Sequence, residues 1–92
     1  MINYIVSYDI SDDKLRDRVS DILEGYGFRV QESVFECKFS PDEFDKIINR
    51  LESMIKTNSN IRIYPLCKDC LKKALEIGEK KRIVGQEGYA IF

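Results

Sequence analysis

The sequence contains no histidine. A Ser-His-Asp or Cys-His nucleophile pair, a histidine acid or base, and a histidine-ligated metal site all need an imidazole, so these kinds of site are excluded. Any catalysis by this chain would have to depend on a bound metal ion or on a carboxylate.

Long hydrophobic runs are also missing, because the apolar stretches are far shorter than the roughly 20 residues that a membrane span requires. Only three cysteines are present, and this odd number does not suit a complete disulfide framework. No basic and apolar leader follows Met1. These features predict a soluble, cytoplasmic protein with reduced thiols and no membrane partner.

The 92 residues provide enough surface for one hydrophobic core, which predicts a single domain over residues 1–92. The composition is 43% hydrophobic and 34% charged, which is typical of a folded chain with a strongly charged surface. Fifteen basic and sixteen acidic residues leave a net charge of -1. A nucleic-acid surface, if there is one, must therefore be local.

The first half of the chain has the pattern of a strand followed by a helix. Apolar side chains alternate over residues 2–8, which predicts a strand that ends at Tyr8, with Asp9 just beyond it. Ser11 or Asp12 can cap a helix. The helix has an apolar stripe at helical spacing and ends at Gly25; the stripe consists of Leu15, Val19, Ile22 and Leu23.

The middle of the chain predicts two strands, a helix and a fourth strand. Between Phe28 and Phe39 the apolar alternation changes phase at residues 31–33, which indicates a turn between two strands. Residues 40–43, Ser-Pro-Asp-Glu, form a capping box with proline at the first helical position. Residues 61–64 alternate again, and Pro65 is expected to end that strand.

This order predicts an α+β fold, a ferredoxin-like β-α-β-β-α-β sandwich with both helices on one face of the sheet. Residues 67–92 form a C-terminal appendage in this interpretation. Within it, residues 69–77 are expected to form a short helix or turn that stops at Gly78. Residues 89–92, Tyr-Ala-Ile-Phe, have the character of an extra strand that needs a partner.

Asp9 is the residue best placed for chemistry, because it follows the first strand directly. Its carboxylate is a hard oxygen ligand that suits Mg²⁺ or Mn²⁺, but one carboxylate binds such ions poorly. A two-fold axis near Asp9 would bring in a second copy from another chain. The alternative is that Asp9 only begins the loop or caps the first helix.

The cysteines and the basic residues each allow two interpretations. Cys67 and Cys70 form a Cys-x-x-Cys motif, for which a local structural role is the default and a redox or metal role the alternative. The basic side chains can contact phosphate or can simply form a solvated, salt-bridged face. The aromatic residues Tyr4, Tyr8, Phe35 and Tyr64 are expected in the sheet core. The basic residues concerned are Arg16, Arg18, Arg29, Arg50, Arg62, Lys72, Lys73, Lys80, Lys81 and Arg82.

Several segments together resemble the CRISPR-associated protein-two family, the small ferredoxin-fold subunits of the spacer-acquisition machinery. The resemblance runs over essentially the whole chain. It is carried by Tyr-Ile-Val-Ser-Tyr-Asp-Ile at residues 4–10, by residues 14–19, by Gly-Phe-Arg-Val-Gln-Glu-Ser-Val-Phe-Glu at residues 27–36, and by Arg-Ile-Tyr-Pro-Leu at residues 62–66.

The resemblance implies a homodimer whose first strands face each other across the two-fold axis, with the C-terminal strand of each chain added to the other chain's sheet. It also implies a metal-dependent endonuclease acting on RNA or DNA, with Asp9 as the ligand of Mg²⁺ or Mn²⁺ between the subunits. The family positions implicated in cleavage or phosphate contact match Tyr8, Arg16, Arg18, Arg29 and Phe35.

A second role is implied as well, in which the dimer bridges two dimers of the CRISPR integrase, protein one of the same system. In that role it holds a prespacer DNA duplex, and cleavage by this subunit is dispensable. The basic residues expected to contact nucleic acid are Arg16, Arg18, Lys80, Lys81 and Arg82.

Overall fold

A computed structural model describes residues 1–75, 77 and 78. The elements follow the predicted β-α-β-β-α-β order and add a short third helix. They are β1 (Ile2–Ile10), α1 (Asp13–Glu24), β2 (Gly27–Gln31), β3 (Val34–Phe39), α2 (Pro41–Met54), β4 (Ser59–Leu66) and α3 (Lys68–Lys72). The predicted C-terminal strand and the basic residues Lys80, Lys81 and Arg82 lie outside the described residues.

The four strands form one antiparallel sheet in the order β2-β3-β1-β4. This is the strand order of the ferredoxin-like fold, so the predicted fold class is confirmed. β1 lies in the centre and carries Asp9 near its end. β2 and β4 are the two edges of the sheet within the described part of the chain.

The core lies between the two long helices and one face of the sheet. Val6 of β1, Phe35 and Phe39 of β3, and Val19 and Leu23 of α1 are almost completely buried there. Both helices therefore pack on the same face, because their apolar stripes meet the inward side chains of β1 and β3. The other face of the sheet is called the open face below; it carries alternate β1 residues from Asn3 to Asp9 and their cross-strand neighbours.

The predicted helix starts are found in the structure. Asp12 caps α1, since its Oδ1 accepts a hydrogen bond from the backbone N–H of Leu15 at 3.1 Å. At α2, Oγ of Ser40 accepts from the N–H of Glu43 at 3.2 Å, and the Glu43 carboxylate accepts from the N–H of Ser40 at 2.9 Å. The capping box thus satisfies two backbone donors reciprocally.

Three local predictions were wrong. β1 continues to Ile10 rather than ending at Tyr8, because Asp9 and Ile10 still pair with β4. Pro65 does not end β4 but pairs with Tyr4, which an edge strand allows where the position lacking an N–H faces away from its neighbour. Tyr64 is 49% exposed on the open face instead of lying in the core.

The last described element is α3, which begins at Lys68, one residue earlier than predicted, and ends at Lys72. Sγ of Cys67 accepts a hydrogen bond from the backbone N–H of Cys70 at 3.2 Å and so caps this short helix. Cys37 is buried, whereas Cys67 and Cys70 are exposed, and all three are free thiols. Within the described residues, no helix has the length and apolar character needed to cross a membrane.

Candidate metal and nucleic-acid site

Asp9 is an exposed residue near the end of β1, on the open face of the sheet. Its Cα partner across the β1–β4 ladder is Asn60, so the two side chains project from neighbouring strands on the same face. Since Asp12 is the residue that caps α1, Asp9 does not serve that purpose. The carboxylate of Asp9 is therefore free to act as a ligand at the surface.

The donor set around Asp9 fits a divalent cation only in part. Asp9 supplies a carboxylate oxygen, and Asn60 opposite it carries an amide oxygen, both of which are ligand types that Mg²⁺ accepts. However, no group of three or more acidic or cysteine side chains that could hold a metal ion occurs within residues 1–75, 77 and 78. The described residues therefore offer no complete metal site around Asp9.

Tyr8 is adjacent to Asp9 in sequence but lies on the opposite face of the sheet, buried in the core. Its hydroxyl donates a hydrogen bond to the carbonyl oxygen of Glu32 at 3.1 Å, and its backbone N–H donates to the carbonyl of Ser33 at 3.0 Å. Burial raises the pKa of Tyr8 above its ordinary value, although the positive charges of Arg29 and Arg16 act against this shift. The phenol therefore stays protonated and holds the turn between β2 and β3.

Arg29 and Phe35 are Cα partners across the β2–β3 ladder and form a cation-π pair. Cζ of Arg29 lies 5.3 Å from the centroid of the Phe35 ring, and its Nη2 lies 3.6 Å from Oε1 of Glu24. The Phe35 ring has no exposed surface and lies 6.2 Å from the ring of Tyr8, centroid to centroid. Phe35 can therefore serve a surface site only by supporting Arg29 and Tyr8.

Arg16 joins the start of α1 to the end of β1. Its Nη1 donates a hydrogen bond to the carbonyl of Ile10 at 3.2 Å, and its Nη2 forms an ion pair with Asp13. The hydrogen bond to Asp13 raises the pKa of Arg16, so the guanidinium stays charged. Its Nη1 and Nη2 atoms thus have partners within the chain, while part of the side chain is exposed to solvent.

Of the six predicted site residues Asp9, Tyr8, Arg16, Arg18, Arg29 and Phe35, the structure brings four together and places the other two elsewhere. Tyr8, Arg16, Arg29 and Phe35 lie on the helix side of the sheet, where both arginines influence the phenol electrostatically. Asp9 lies on the open face, and Arg18 is exposed on α1.

Sequence reasoning missed two partners of the predicted residues. Glu24 pairs with Arg29, and Asn60 stands opposite Asp9. Neither Glu24 nor Asn60 belongs to a sequence motif that would single it out. Only the strand register, which the sequence does not specify across the long connection from β1 to β4, places Asn60 beside Asp9.

The sequence matches a known protein family and several of its members. The family model described as CRISPR associated protein Cas2 matches residues 1–74. A relative named CRISPR-associated endoribonuclease Cas2 3, from Synechocystis sp., is 45% identical over 67 residues, which cover 72% of this chain and 73% of the relative.

Two solved structures share the fold and a substantial part of the sequence. The crystal structure of Streptococcus pyogenes Cas2 at pH 6.5 superposes with a TM-score of 0.73 and 34% identity, covering 83% of this chain and 99% of the other. A chain of a partial Cas6-RT-Cas1–Cas2 complex superposes with a TM-score of 0.71 and 37% identity, covering 84% and 91%. With a family model that matches most of its length, the chain belongs to the Cas2 family of CRISPR-associated proteins.

Proposed function

We propose that this chain is a subunit of the CRISPR adaptation machinery and a metal-dependent endonuclease that cleaves RNA or DNA phosphodiesters. The observation that carries the proposal is the exposed carboxylate of Asp9 on the open face of the sheet, where no helix of the described part covers it. The name endoribonuclease, which the Synechocystis relative bears, supports the reaction class.

The proposal requires a homodimer in which the open faces of two sheets meet. Ile5 of β1 is half-buried on this face, and its cross-strand partner Tyr64 is 49% exposed. Covering apolar surface of this kind is favourable and would favour a partner sheet. With the two β1 strands facing each other across a two-fold axis, both Asp9 carboxylates approach the axis.

Asp9 from each chain would hold one Mg²⁺ or Mn²⁺ ion between the subunits. When bound, such an ion lowers the pKa of a coordinated water molecule and stabilises negative charge on a phosphate. The basic side chains of this chain would bind the nucleic-acid backbone. Arg18 and the free donors of Arg16 and Arg29 can position phosphates, while Tyr8 and Phe35 hold the strands that carry these groups.

The test is cleavage of single-stranded RNA, single-stranded DNA and duplex DNA across a titration of Mg²⁺ and of Mn²⁺. Asp9→Asn removes one ligand charge and keeps the side-chain shape, and Asp45→Asn, an exposed position on α2, is the matched control. Cleavage that needs the metal, disappears in Asp9→Asn and persists in Asp45→Asn is the expected result. Equal cleavage by Asp9→Asn and the unaltered chain would contradict the proposal.

A second candidate function is a non-catalytic architectural dimer that bridges the CRISPR integrase and holds prespacer duplex DNA. Two observations favour it: the described residues contain no group of three or more candidate metal ligands, and the chain is similar to one from a complex that contains Cas1. Charge reversal at Arg16 and Arg18, or at Lys80 and Lys81, should then weaken prespacer binding by the assembled complex. Unchanged binding in both double variants would contradict this role.

A further inference from the structure

A cleft of about 380 Å³ lies on the helix side of the molecule, where α1 and α2 approach each other. Its walls are formed by Arg18, Asp21 and Ile22 of α1, by Tyr26 just after that helix, and by Arg50 of α2. Arg18, Asp21 and Ile22 are spaced by three and four residues, so they line one side of α1. The cleft is remote from Asp9, which occupies the opposite face of the sheet.

Within the described part of the chain, neither arginine of the cleft forms an ion pair with a carboxylate. Among the residues that the structure describes, the ion pairs are Arg16 with Asp13 and Arg29 with Glu24. Arg18 and Arg50 come from different helices and are both exposed. Two guanidinium groups lining one small space repel each other, and an anion between them would remove that repulsion.

The part of the wall that Tyr26 forms is held in place by the backbone. The N–H of Tyr26 donates a hydrogen bond to the carbonyl of Leu23 at 2.9 Å, and the carbonyl of Tyr26 accepts one from the N–H of Lys38 at 3.0 Å. The Tyr26 ring packs against Phe39, with 5.1 Å between centroids. A group that enters the cleft therefore meets a wall already fixed in position, which lowers the entropic cost of binding.

We propose that this cleft binds a phosphate group of a nucleic-acid backbone between Arg18 and Arg50. One aspartate and two arginines give the cleft a net charge of +1. A guanidinium presents paired N–H donors that match the oxygens of a phosphate, which a compact ammonium does not. Arg50 of α2 would thus add to the phosphate contacts that Arg16 and Arg18 of α1 are proposed to make. The inference rests on the proposed function, since it takes nucleic acid as the source of the phosphate.

The experiment measures duplex DNA binding by the full chain at several salt concentrations. Arg50→Gln and Arg18→Gln each remove one donor group, and Lys56→Gln is the control, because Lys56 is exposed just beyond α2 and does not line the cleft. Loss of one charged contact should weaken binding by about tenfold. It should also reduce the magnitude of the slope of log K plotted against log salt concentration by about one.

Asp21→Asn gives a test in the opposite direction, because it removes the single negative charge of the cleft. This variant should bind duplex DNA more tightly than the unaltered chain, a gain that a misfolded variant would not show. The Arg18→Gln/Arg50→Gln double variant should lose less than the sum of the two single losses, because both arginines bind the same phosphate.

Titration with inorganic phosphate, followed by the NMR signals of the arginine side chains, separates the sources of the anion. Shifts at both Arg18 and Arg50, together with weakened DNA binding by Arg50→Gln, support the proposal. If phosphate shifts these signals but Arg50→Gln binds DNA as Lys56→Gln does, the nucleic-acid assignment is wrong and the cleft is a site for free phosphate. A chain that binds no DNA while phosphate shifts both arginines would contradict the proposed function and this assignment together. No shift at either arginine overturns the site itself.

Discussion

Tyr8 and Asp9 are consecutive residues of β1, yet their side chains lie on opposite faces of the sheet. Tyr8 is buried beneath the helices and hydrogen-bonded to the carbonyl of Glu32, whereas Asp9 is exposed on the open face beside Asn60. Within one chain, these two groups cannot act on the same atom. The separation assigns Asp9 to a surface site and Tyr8 to the support of the β2–β3 turn.

Tyr8→Phe is expected to destabilise the fold, because it leaves the Glu32 carbonyl without the donor that it has at 3.1 Å. The loss in the free energy of unfolding should be about 0.5–1.5 kcal/mol. Tyr64→Phe is the matched control, since Tyr64 is exposed and its hydroxyl has only a long contact with Arg62 at 3.4 Å. Denaturant unfolding of both variants measures the difference, and equal stabilities would contradict the role of Tyr8.

Ser40→Ala should lower the free energy of unfolding by about 1 kcal/mol, because it removes half of the capping box of α2. The control is Ser53→Ala in the last turn of the same helix, where the hydroxyl donates to the carbonyl of Arg50 at an exposed position. Alanine is the better helix former, so this control should be close to neutral. A Ser40→Ala protein as stable as the control would show that the cap contributes nothing.

Gly27 and Gly25 differ in the space that the structure leaves for a Cβ atom, so alanine at these two positions should have different effects on stability. A Cβ at Gly27 would lie 1.8 Å from the carbonyl oxygen of Glu36 and 2.7 Å from Cα of Cys37, both backbone atoms of β3. Gly27→Ala must therefore displace β2, at a cost of about 1–3 kcal/mol or more. At Gly25 the nearest atom is the carbonyl oxygen of Ile22 at 3.3 Å and the backbone is helical, so Gly25→Ala should cost much less. Thermal unfolding that ranks the two variants in the reverse order would contradict this packing.

The three cysteines should react with a thiol reagent in a fixed order. Hydrogen bonds from the Cys70 thiol and backbone N–H lower the pKa of Cys67, whereas the interaction with Cys67 raises the pKa of Cys70. Burial raises the pKa of Cys37 to about 12. Because only the thiolate reacts, labelling at Cys67 should begin at the lowest pH, with Cys70 next and Cys37 unlabelled until the protein unfolds.

Mass spectrometry of partly labelled protein over a pH series identifies the modified residue. Cys67→Ser should remove the first labelling phase. Cys70→Ser should remove the second phase and keep the first, because the backbone N–H of residue 70 still donates to Sγ of Cys67. Labelling of Cys37 before either exposed cysteine would contradict the burial of β3.

Most of the fold is predictable from the sequence because local signals agree with the final packing. The capping box at Ser40, the apolar stripe that ends at Leu23 and the phase change at residues 31–33 each specify structure within a few residues. The errors at Pro65 and Tyr64 have a non-local cause. Both residues belong to an edge strand whose register and open face depend on pairing with β1, more than fifty residues earlier.

The candidate site was predictable only in its composition. A carboxylate at the end of β1 and arginines on α1 can be read directly from the residues, whereas their placement on different faces depends on the exact extent of β1. The cation-π pair of Arg29 with Phe35 joins two strands, and Arg18 and Arg50 line one cleft although they belong to different helices. No spacing within the sequence encodes them.

The central claim is that two Asp9 carboxylates share one cation. Measuring metal binding by the purified protein tests this claim most directly. Titration calorimetry with Mn²⁺, with the oligomeric state measured in the same buffer, is predicted to give one bound ion for every two chains. Asp9→Asn should abolish that binding while Asp45→Asn retains it. One ion for every chain, or the same binding in Asp9→Asn, would contradict the shared site.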